Sequence, residues 1–245
     1  MKLFVRSLLF NLAFYVWTVI MVMVCTPLLA FERRYILWAM AFWGRGVNWL
    51  MAVLAGINVV IRGSENVPEG PCIIAAKHQS AWDTIYWHMG AHDPAVVMKR
   101  ELLFIPFYGL FAMKVGMIAV DRSAGSSAMR HLLKGGKRAL AEGRPVVIFP
   151  QGTRVAPGVQ HPYQPGVAAL YKALNCPVVP VALNSGIFWP RRQFLRRPGT
   201  LVLEYLPPIQ PGLPRPTFMA ELEQRTEVAS DRLQAVAKGL DKPTR

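Results

Sequence analysis

The chain has 245 residues, 53% of them hydrophobic, and its 28 lysines and arginines outnumber 14 acidic residues to give a net charge of +14. This length suits one compact domain with an appendage, and the charge favours anionic partners such as phospholipid headgroups, nucleic acid or acidic carrier proteins. A membrane fits better than nucleic acid, because the apolar excess lies at the N-terminus and neither zinc-finger spacing nor a glycine-rich RNA-binding signature is present.

Two apolar segments open the chain. Ser7–Phe31 contains no charged residue and is long enough to cross a hydrocarbon core of about 30 Å as a helix. Pro27 is expected to bend or end that helix. The second segment, Ile36–Ile61, carries Arg45 and several glycines, and its uncharged part is short for a membrane span.

A short basic connector, Glu32–Tyr35, joins the two segments. If both segments crossed the membrane, this connector would lie outside the cytoplasm, against the positive-inside tendency. We therefore predict that residues 1–56 form a helical hairpin in one leaflet, on the cytoplasmic face of the inner (plasma) membrane. Lys2, Arg6 and Arg33-Arg34 would then reach the headgroups. A cleaved signal peptide fits less well, since no small-x-small site precedes the connector.

Residues 57–245 alternate strand and helix signals, which predicts an α/β sandwich with a mostly parallel or mixed sheet flanked by helices. Short apolar runs predict seven strands: Ile57–Ile61, Cys72–Ala76, Ala95–Lys99, Met117–Val120, Pro145–Phe149, Val178–Asn184 and Thr200–Leu206. Helical periodicity predicts three helices: an amphipathic one through Met129–Leu140 that Gly143 ends, then Val167–Asn175 and Thr217–Lys238.

The stretch His78-Gln79-Ser80-Ala81-Trp82-Asp83 directly follows the second predicted strand. Histidine exchanges a proton near neutral pH, and a carboxylate on its other ring nitrogen would fix its tautomer and stabilise the imidazolium. Since no serine or cysteine stands beside the pair as an obvious nucleophile, the simplest chemistry is a histidine base that activates a substrate hydroxyl.

A second interpretation of the same stretch is a capping box, in which Ser80 and Asp83 only stabilise the start of a helix. Residues five apart on one helix point about 140° away from each other. A turn before the helix would instead bring His78 back towards Asp83, so the two roles are compatible and both stay open.

Three further blocks follow in order: Lys99–Leu102 with Pro106–Gly109 and Gly116–Arg122, then Phe149–Arg154, then Val179–Ala182. With the His-x4-Asp element, they resemble the four sequence blocks of the glycerolipid acyltransferases, specifically the 1-acylglycerol-3-phosphate (lysophosphatidic acid) acyltransferases. The resemblance covers about residues 57–185 and implies the glycerolipid acyltransferase-like sandwich. The first element alone is weakly specific, whereas the ordered set is strongly so.

Two blocks depart from the family pattern. Lys77 stands where the family usually has asparagine, and Gln151 and Val155 replace the glutamate and serine of Phe-Pro-Glu-Gly-Thr-Arg-Ser. Gln151 keeps an acceptor oxygen and adds donors but cannot carry charge, so it is assigned a supporting role. The His-Asp pair is intact, and the chemistry inferred from it is retained.

The loop after the fifth predicted strand has the groups needed to bind a phosphate. Gly152 lets the backbone approach a ligand, Thr153 offers a hydroxyl, and Arg154 can grip a phosphate with two hydrogen bonds. Arg122 and Lys99 end other strands and are predicted to join the same site. Ordinary solvated charge is the alternative for each; the resemblance favours the phosphate role for Arg154 and Arg122 and leaves Lys99 between the two.

Phe188–Arg197 interleaves aromatic residues with four arginines. Trp189 and Phe194 could enter the membrane interface while the arginines meet anionic headgroups. An exposed solvated loop and a single-stranded nucleic-acid site are the alternatives, and we predict no nucleic-acid partner.

No metal site is predicted. The three cysteines, Cys25, Cys72 and Cys176, lack metal-ligand spacing and are expected to be buried free thiols in a reducing compartment. The remaining histidines form no metal motif and are interpreted as surface or packing residues: His88, His92, His131 and His161.

The resemblance implies an O-acyltransferase of phospholipid biosynthesis that acylates the sn-2 hydroxyl of 1-acylglycerol-3-phosphate and gives phosphatidic acid. His78 would take the hydroxyl proton and Asp83 would orient His78. The expected partners are membrane phospholipid, the lysophospholipid acceptor, and acyl-CoA or acyl carrier protein as donor, with no cofactor. Two alternatives stay open: acylation of another lyso-lipid (lyso-ornithine lipid or lysophosphatidylglycerol), and a non-catalytic membrane-binding relative.

Overall fold

A computed structural model describes residues 1–89 and 93–240. His92 and the last five residues of the predicted 57–245 domain lie outside the described residues. The strands are β1 (Ile57–Arg62), β2 (Ile73–Ala76), β3 (Ala95–Lys99), β4 (Ile118–Val120), β5 (Val146–Ile148), β6 (Val178–Leu183) and β7 (Gly199–Tyr205). The helices are α1 (Lys2–Cys25), α2 (Arg33–Leu50), α3 (Trp82–Tyr86), α4 (Tyr108–Lys114), α5 (Gly125–Ala141), α6 (Pro165–Leu174), α7 (Ser185–Phe188) and α8 (Arg215–Ala237).

All seven strands join one sheet in the order β1-β7-β6-β2-β5-β3-β4. The strands from β6 to β4 are parallel, β7 is antiparallel to β6, and β1 is parallel to β7. The predicted α/β sandwich with a mostly parallel or mixed sheet is therefore confirmed. Each predicted strand is present, with its ends within one residue of those expected.

Helices cover both faces of the sheet, and β2 shows how its side chains divide between them. Ile73 packs with Phe218 of α8 in one core, whereas Ile74 packs with Phe10 of α1 and Trp82 of α3 in the other. Successive side chains of a strand point to opposite faces, so a strand covered on both faces is apolar throughout. That is why β2 appears in the sequence as an unbroken apolar run.

The N-terminal helices α1 and α2 pack side by side as a hairpin. A 3₁₀ turn with Pro27 near its start, Thr26–Ala30, follows α1, as expected of a residue that ends a helix. Among the described residues, the helical stretch Lys2–Ala30 is long and apolar enough to cross a membrane. Its most apolar window has a mean hydropathy of 2.2, and only 17% of that window is buried.

The predicted basic connector is wrong, because α2 already begins at Arg33 and Glu32 caps it. The guanidinium of Arg33 binds the Asp93 carboxylate at 2.5 Å and donates to the Val115 carbonyl at 2.9 Å. Arg6 similarly donates to the Leu54 carbonyl at 2.9 Å. Arg33 therefore ties the hairpin to the rest of the chain, and Arg6 ties the start of α1 to the end of the hairpin. Neither guanidinium is free to reach headgroups as predicted.

Of the three short helices α3, α4 and α7, only α3 was anticipated, as the helix that Ser80 and Asp83 would cap. They contain five, seven and four residues, too few for helical periodicity to be distinguished from other apolar patterns. Short helices are also marginal in isolation, so tertiary packing decides whether they form. Two of them, α3 and α4, contribute to the site described next.

Candidate active site

After β2 the chain turns back and places His78 against Asp83 in the first turn of α3. His78 Nδ1 lies 3.0 Å from Asp83 Oδ2. The same oxygen accepts hydrogen bonds from the backbone N–H groups of Gln79 at 2.6 Å and Ser80 at 2.7 Å. Ser80 Oγ in turn accepts from the Trp82 N–H at 3.2 Å. One carboxylate thus organises the turn before the helix and contacts the imidazole, so the two geometries considered from the sequence coexist.

The surroundings of His78 keep its imidazole neutral near pH 7. Burial lowers the pKa of His78; the hydrogen bond and charge of Asp83 act in the opposite direction, and the positive charges of Arg154 and Arg122 lower it further. The ring also stacks on Phe149, with centroids 4.0 Å apart. With Nδ1 engaged by Asp83, Nε2 is the nitrogen left to accept a proton.

His78 lines a cavity of about 260 Å³ together with every residue predicted for the phosphate site: Lys99, Arg122, Gly152, Thr153 and Arg154. They come from the ends of β2, β3, β4 and β5, four parallel neighbours in the sheet. In open α/β sheets, ligands bind outside the carboxyl ends of the strands. The cavity therefore combines a neutral base with several positive charges.

The loop after β5 is tied to both sides of this cavity. The Arg122 guanidinium donates to the Gly152 carbonyl, and the Val155 N–H donates to the His78 carbonyl at 2.8 Å. Gly152 has φ +69°, a conformation that favours glycine. Burial lowers the pKa of Arg122 and Arg154, but guanidinium groups stay protonated in proteins. Both can therefore offer charge to an anion in the cavity.

Gln151 lies outside the lining of the cavity, although its loop neighbours belong to it. Its side chain is buried, and neither Oε1 nor Nε2 has a hydrogen-bond partner among the described residues. An unpartnered buried carboxylate would cost much more than an unpartnered amide. The surroundings of this position therefore suit a neutral side chain.

Lys77, the other departure from the family pattern, is 2% exposed. Its ammonium forms an ion pair with Glu227 of α8, whose carboxylate also accepts a hydrogen bond of 3.0 Å from the Tyr163 hydroxyl. Removing one partner of a buried pair leaves the other charge uncompensated. The residue next to His78 is thus anchored to the C-terminal helix.

The cavity lining also includes residues that were not assigned to this site from the sequence, among them His88, Tyr108 and Arg191. His88 is buried, its Nε2 has no partner within residues 1–89 and 93–240, and burial lowers its pKa to about 4. The Arg191 guanidinium donates to the Arg154 carbonyl at 3.0 Å, although the two residues are 37 positions apart in the sequence. No motif marks His88. Tyr108 lies in the Pro106–Gly109 block and Arg191 in the stretch Phe188–Arg197, but neither pattern predicts that these side chains reach the cavity.

The predicted interfacial role of Trp189 in Phe188–Arg197 is wrong. Trp189 is 5% exposed and packs edge-on against Phe10 of α1, with centroids 5.1 Å apart. The Arg196 guanidinium covers the same indole at 5.0 Å. Phe194 remains 42% exposed. Because Trp189 packs on Phe10, this segment mainly holds α1 against the domain.

Comparisons with known proteins agree on one family. The family profile described as Acyltransferase matches residues 58–184. A 1-acyl-sn-glycerol-3-phosphate acyltransferase of Pseudomonas aeruginosa is 38% identical over 91% of this chain and 88% of its own, and one of Helicobacter pylori is 32% identical over 71% and 73%. The crystal structure of the 1-acyl-sn-glycerophosphate (LPA) acyltransferase from Thermotoga maritima has the same fold, with a TM-score of 0.79 and 22% identity over 96% of this chain and 98% of that one. The chain belongs to the 1-acyl-sn-glycerol-3-phosphate acyltransferase family.

Proposed function

We propose that this protein transfers a fatty acyl group from acyl-CoA or acyl carrier protein to the sn-2 hydroxyl of 1-acylglycerol-3-phosphate and so produces phosphatidic acid. The observation that carries the proposal is the cavity in which His78, held by Asp83, faces Arg122 and Arg154. A base beside a cluster of positive charges suits an acceptor that has both a hydroxyl and a phosphate. The names of the relatives support the same acceptor.

In the proposed reaction, His78 Nε2 takes the proton of the acceptor hydroxyl as its oxygen attacks the thioester carbonyl. A C–O bond forms and a tetrahedral intermediate results. When it collapses, the C–S bond breaks and the imidazolium returns the proton to the departing thiolate. Asp83 stabilises the imidazolium in between. This sequence needs no metal or redox cofactor, since the thioester supplies the activated acyl group and His78 the base.

Arg154 and Arg122 are the proposed phosphate ligands, with Gly152 and Thr153 adding backbone and hydroxyl groups. Lys99 adds a further positive charge to the same cavity wall. Holding the phosphate would place the hydroxyl next to His78, and such positioning lowers the barrier by making the reaction effectively unimolecular. Gln151, which is buried and lies outside the cavity lining, would support the loop that contains Gly152 and Thr153.

Residues 1–56 are the proposed membrane-anchoring hairpin, and residues 57–245 the catalytic domain on the cytoplasmic face of the inner membrane. In support, many outward side chains of α1 and α2 are large and apolar; Leu12 is 61% exposed, Met23 72% and Trp38 58%. An apolar surface of this kind marks a membrane or protein contact. Family membership and the hydropathy of Lys2–Ala30 favour the membrane.

The test is a substrate panel with purified protein in detergent. Several lyso-lipids, including lysophosphatidate, lyso-ornithine lipid and lysophosphatidylglycerol, are offered with acyl-CoA and with acyl carrier protein donors. Lysophosphatidate should be acylated fastest, and a folded His78→Ala variant should lose about 10²–10⁴-fold in rate. Faster acylation of another lyso-lipid would replace the proposed acceptor, and wild-type turnover by the His78→Ala variant would overturn the mechanism.

A further inference from the structure

A second apolar surface lies outside the hairpin, in Phe104–Met113, hereafter the α4 segment. Five of its large apolar side chains are exposed: Phe104 by 75%, Ile105 by 47%, Phe107 by 47%, Leu110 by 48% and Met113 by 57%. Scattered exposed apolar residues are common on proteins, but a contiguous group marks an interaction site.

The backbone of the α4 segment is strained in a way that produces this surface. Phe107 has φ +62° and ψ −47°, and the Tyr108 N–H donates to the Pro106 carbonyl at 2.7 Å, which closes a three-residue γ-turn. This conformation is rare for a bulky residue and persists only where the surrounding structure imposes it. A Cβ at Gly109 would lie 1.9 Å from the Leu103 carbonyl oxygen, so only glycine lets α4 start this close to the preceding turn.

The turn separates two neighbouring aromatic side chains. Phe107 is 47% exposed, whereas Tyr108 lines the active-site cavity. Tyr108 also lines an apolar cavity of about 190 Å³ between the hairpin and the α4 segment. The exposed apolar surface therefore lies one residue away from the wall of the active site.

The other side of α4 is packed against the hairpin. Phe111 and Val115 are buried in one core with Met21 of α1 and with Ile36 and Ala39 of α2. The outward side of α4 is consequently continuous with the outward side of the hairpin.

We propose that the α4 segment is a second membrane-contacting element, which inserts its apolar side chains into the same leaflet as the hairpin and holds the active-site cavity at the lipid surface. The inference rests on the proposed membrane anchoring and is independent of the acyl-transfer chemistry. The occupant is the headgroup–acyl boundary of a bilayer, because the surface continues an apolar hairpin rather than standing alone.

The first test places an environment-sensitive fluorophore on single introduced cysteines of the full chain in phosphatidylglycerol-containing nanodiscs. The native cysteines, Cys25, Cys72 and Cys176, are buried free thiols. Labels at Phe104→Cys and Met113→Cys should be quenched by spin-labelled lipids. The matched control is Val228→Cys, a residue of α8 that is 64% exposed and lies on the sheet face away from the hairpin.

A label at Trp38→Cys on α2 separates the two proposals. Quenching at Trp38 but none at Phe104 and Met113 would overturn the present inference and leave the anchoring intact. Absence of quenching at all three positions would overturn the anchoring proposal, and the α4 inference with it. Quenching at all three, with none at Val228, is the expected result.

The second test measures the activity of a Phe104→Ser, Met113→Ser double variant on two forms of the acceptor. Its rate on lysophosphatidate embedded in vesicles should fall about tenfold, equivalent to ~1.4 kcal/mol of lost membrane contact. Its kcat/KM for a short-chain lysophosphatidate below the micelle concentration should stay at the wild-type value. Equal losses on both acceptors would mean that the substitutions disturb the cavity wall, and would contradict a role in membrane contact.

Discussion

Asp83→Asn should be much less damaging than Asp83→Ala, because a single carboxylate oxygen receives all three hydrogen bonds at this site. Asp83 Oδ2 contacts the Gln79 N–H, the Ser80 N–H and His78 Nδ1. The two backbone groups can only donate, so an asparagine must turn its carbonyl oxygen towards them. Its NH₂ group then takes the place of Oδ1, which has no hydrogen-bond partner in the described part of the chain.

This forced orientation preserves the geometry of the histidine. His78 Nδ1–H still finds an oxygen acceptor, and the tautomer with a free Nε2 is retained. What is lost is the negative charge that stabilises the imidazolium. A hydrogen bond to a charged group contributes about 1.5–3 kcal/mol, and one between neutral groups about 0.5–1.5 kcal/mol. The difference of about 1–2 kcal/mol corresponds to a fall in kcat of roughly 5- to 30-fold.

Asp83→Ala removes the acceptor altogether and leaves two backbone N–H groups and the imidazole unpartnered, so a loss of about 10²–10⁴-fold is expected. The measurement is kcat for the wild type and both variants with lysophosphatidate and acyl-CoA, with melting curves to confirm folding. An asparagine variant as inactive as the alanine variant would refute the orientation argument. Near-wild-type activity in both would show that Asp83 serves only the helix start.

Four further predictions concern other residues. Arg154→Ala and Arg122→Ala should each raise the KM for lysophosphatidate more than that for acceptors without a phosphomonoester; equal losses on all acceptors would indicate a structural role. Gln151→Glu should lower the melting temperature and raise the acceptor KM, because it adds a buried, unpartnered charge. Burial lowers the pKa of His88 to about 4 from its ordinary 6.5. Below pH 6.5 the unfolded chain therefore binds a proton at His88 more readily than the folded chain does, and the free energy of unfolding falls as the pH is lowered. Between pH 7 and 5 the wild type should lose about 2 kcal/mol of unfolding free energy. Denaturant titrations at the two pH values should show a smaller loss for a His88→Gln variant. Finally, Arg34→Cys should resist an impermeant thiol reagent in intact cells and react after permeabilisation; labelling from outside would require a hairpin that spans both leaflets.

Local patterns in the sequence determined the strands of the sheet and the candidate base. Each strand is a short apolar run between turn residues, a signal that does not depend on distant parts of the chain. The pairing of His78 with Asp83 is also local, since one turn closes it. The clustering of Arg122 and Arg154 could be anticipated because both follow strands, and the ends of parallel strands share one edge of a sheet.

Only the tertiary structure decided which side chains are free and which are committed. Trp189, in an apparently interfacial basic-aromatic stretch, is buried against α1, and Arg33 is paired with Asp93 instead of facing headgroups. His88 reaches the active-site cavity from a segment without any motif, and Arg191 reaches it from a stretch that was assigned to the membrane surface. These outcomes depend on contacts between residues far apart in the chain, whose free energy is set by packing and desolvation rather than by local preference. Composition and spacing report which groups are present, but the pairing of each buried group is determined only when the distant segments pack together.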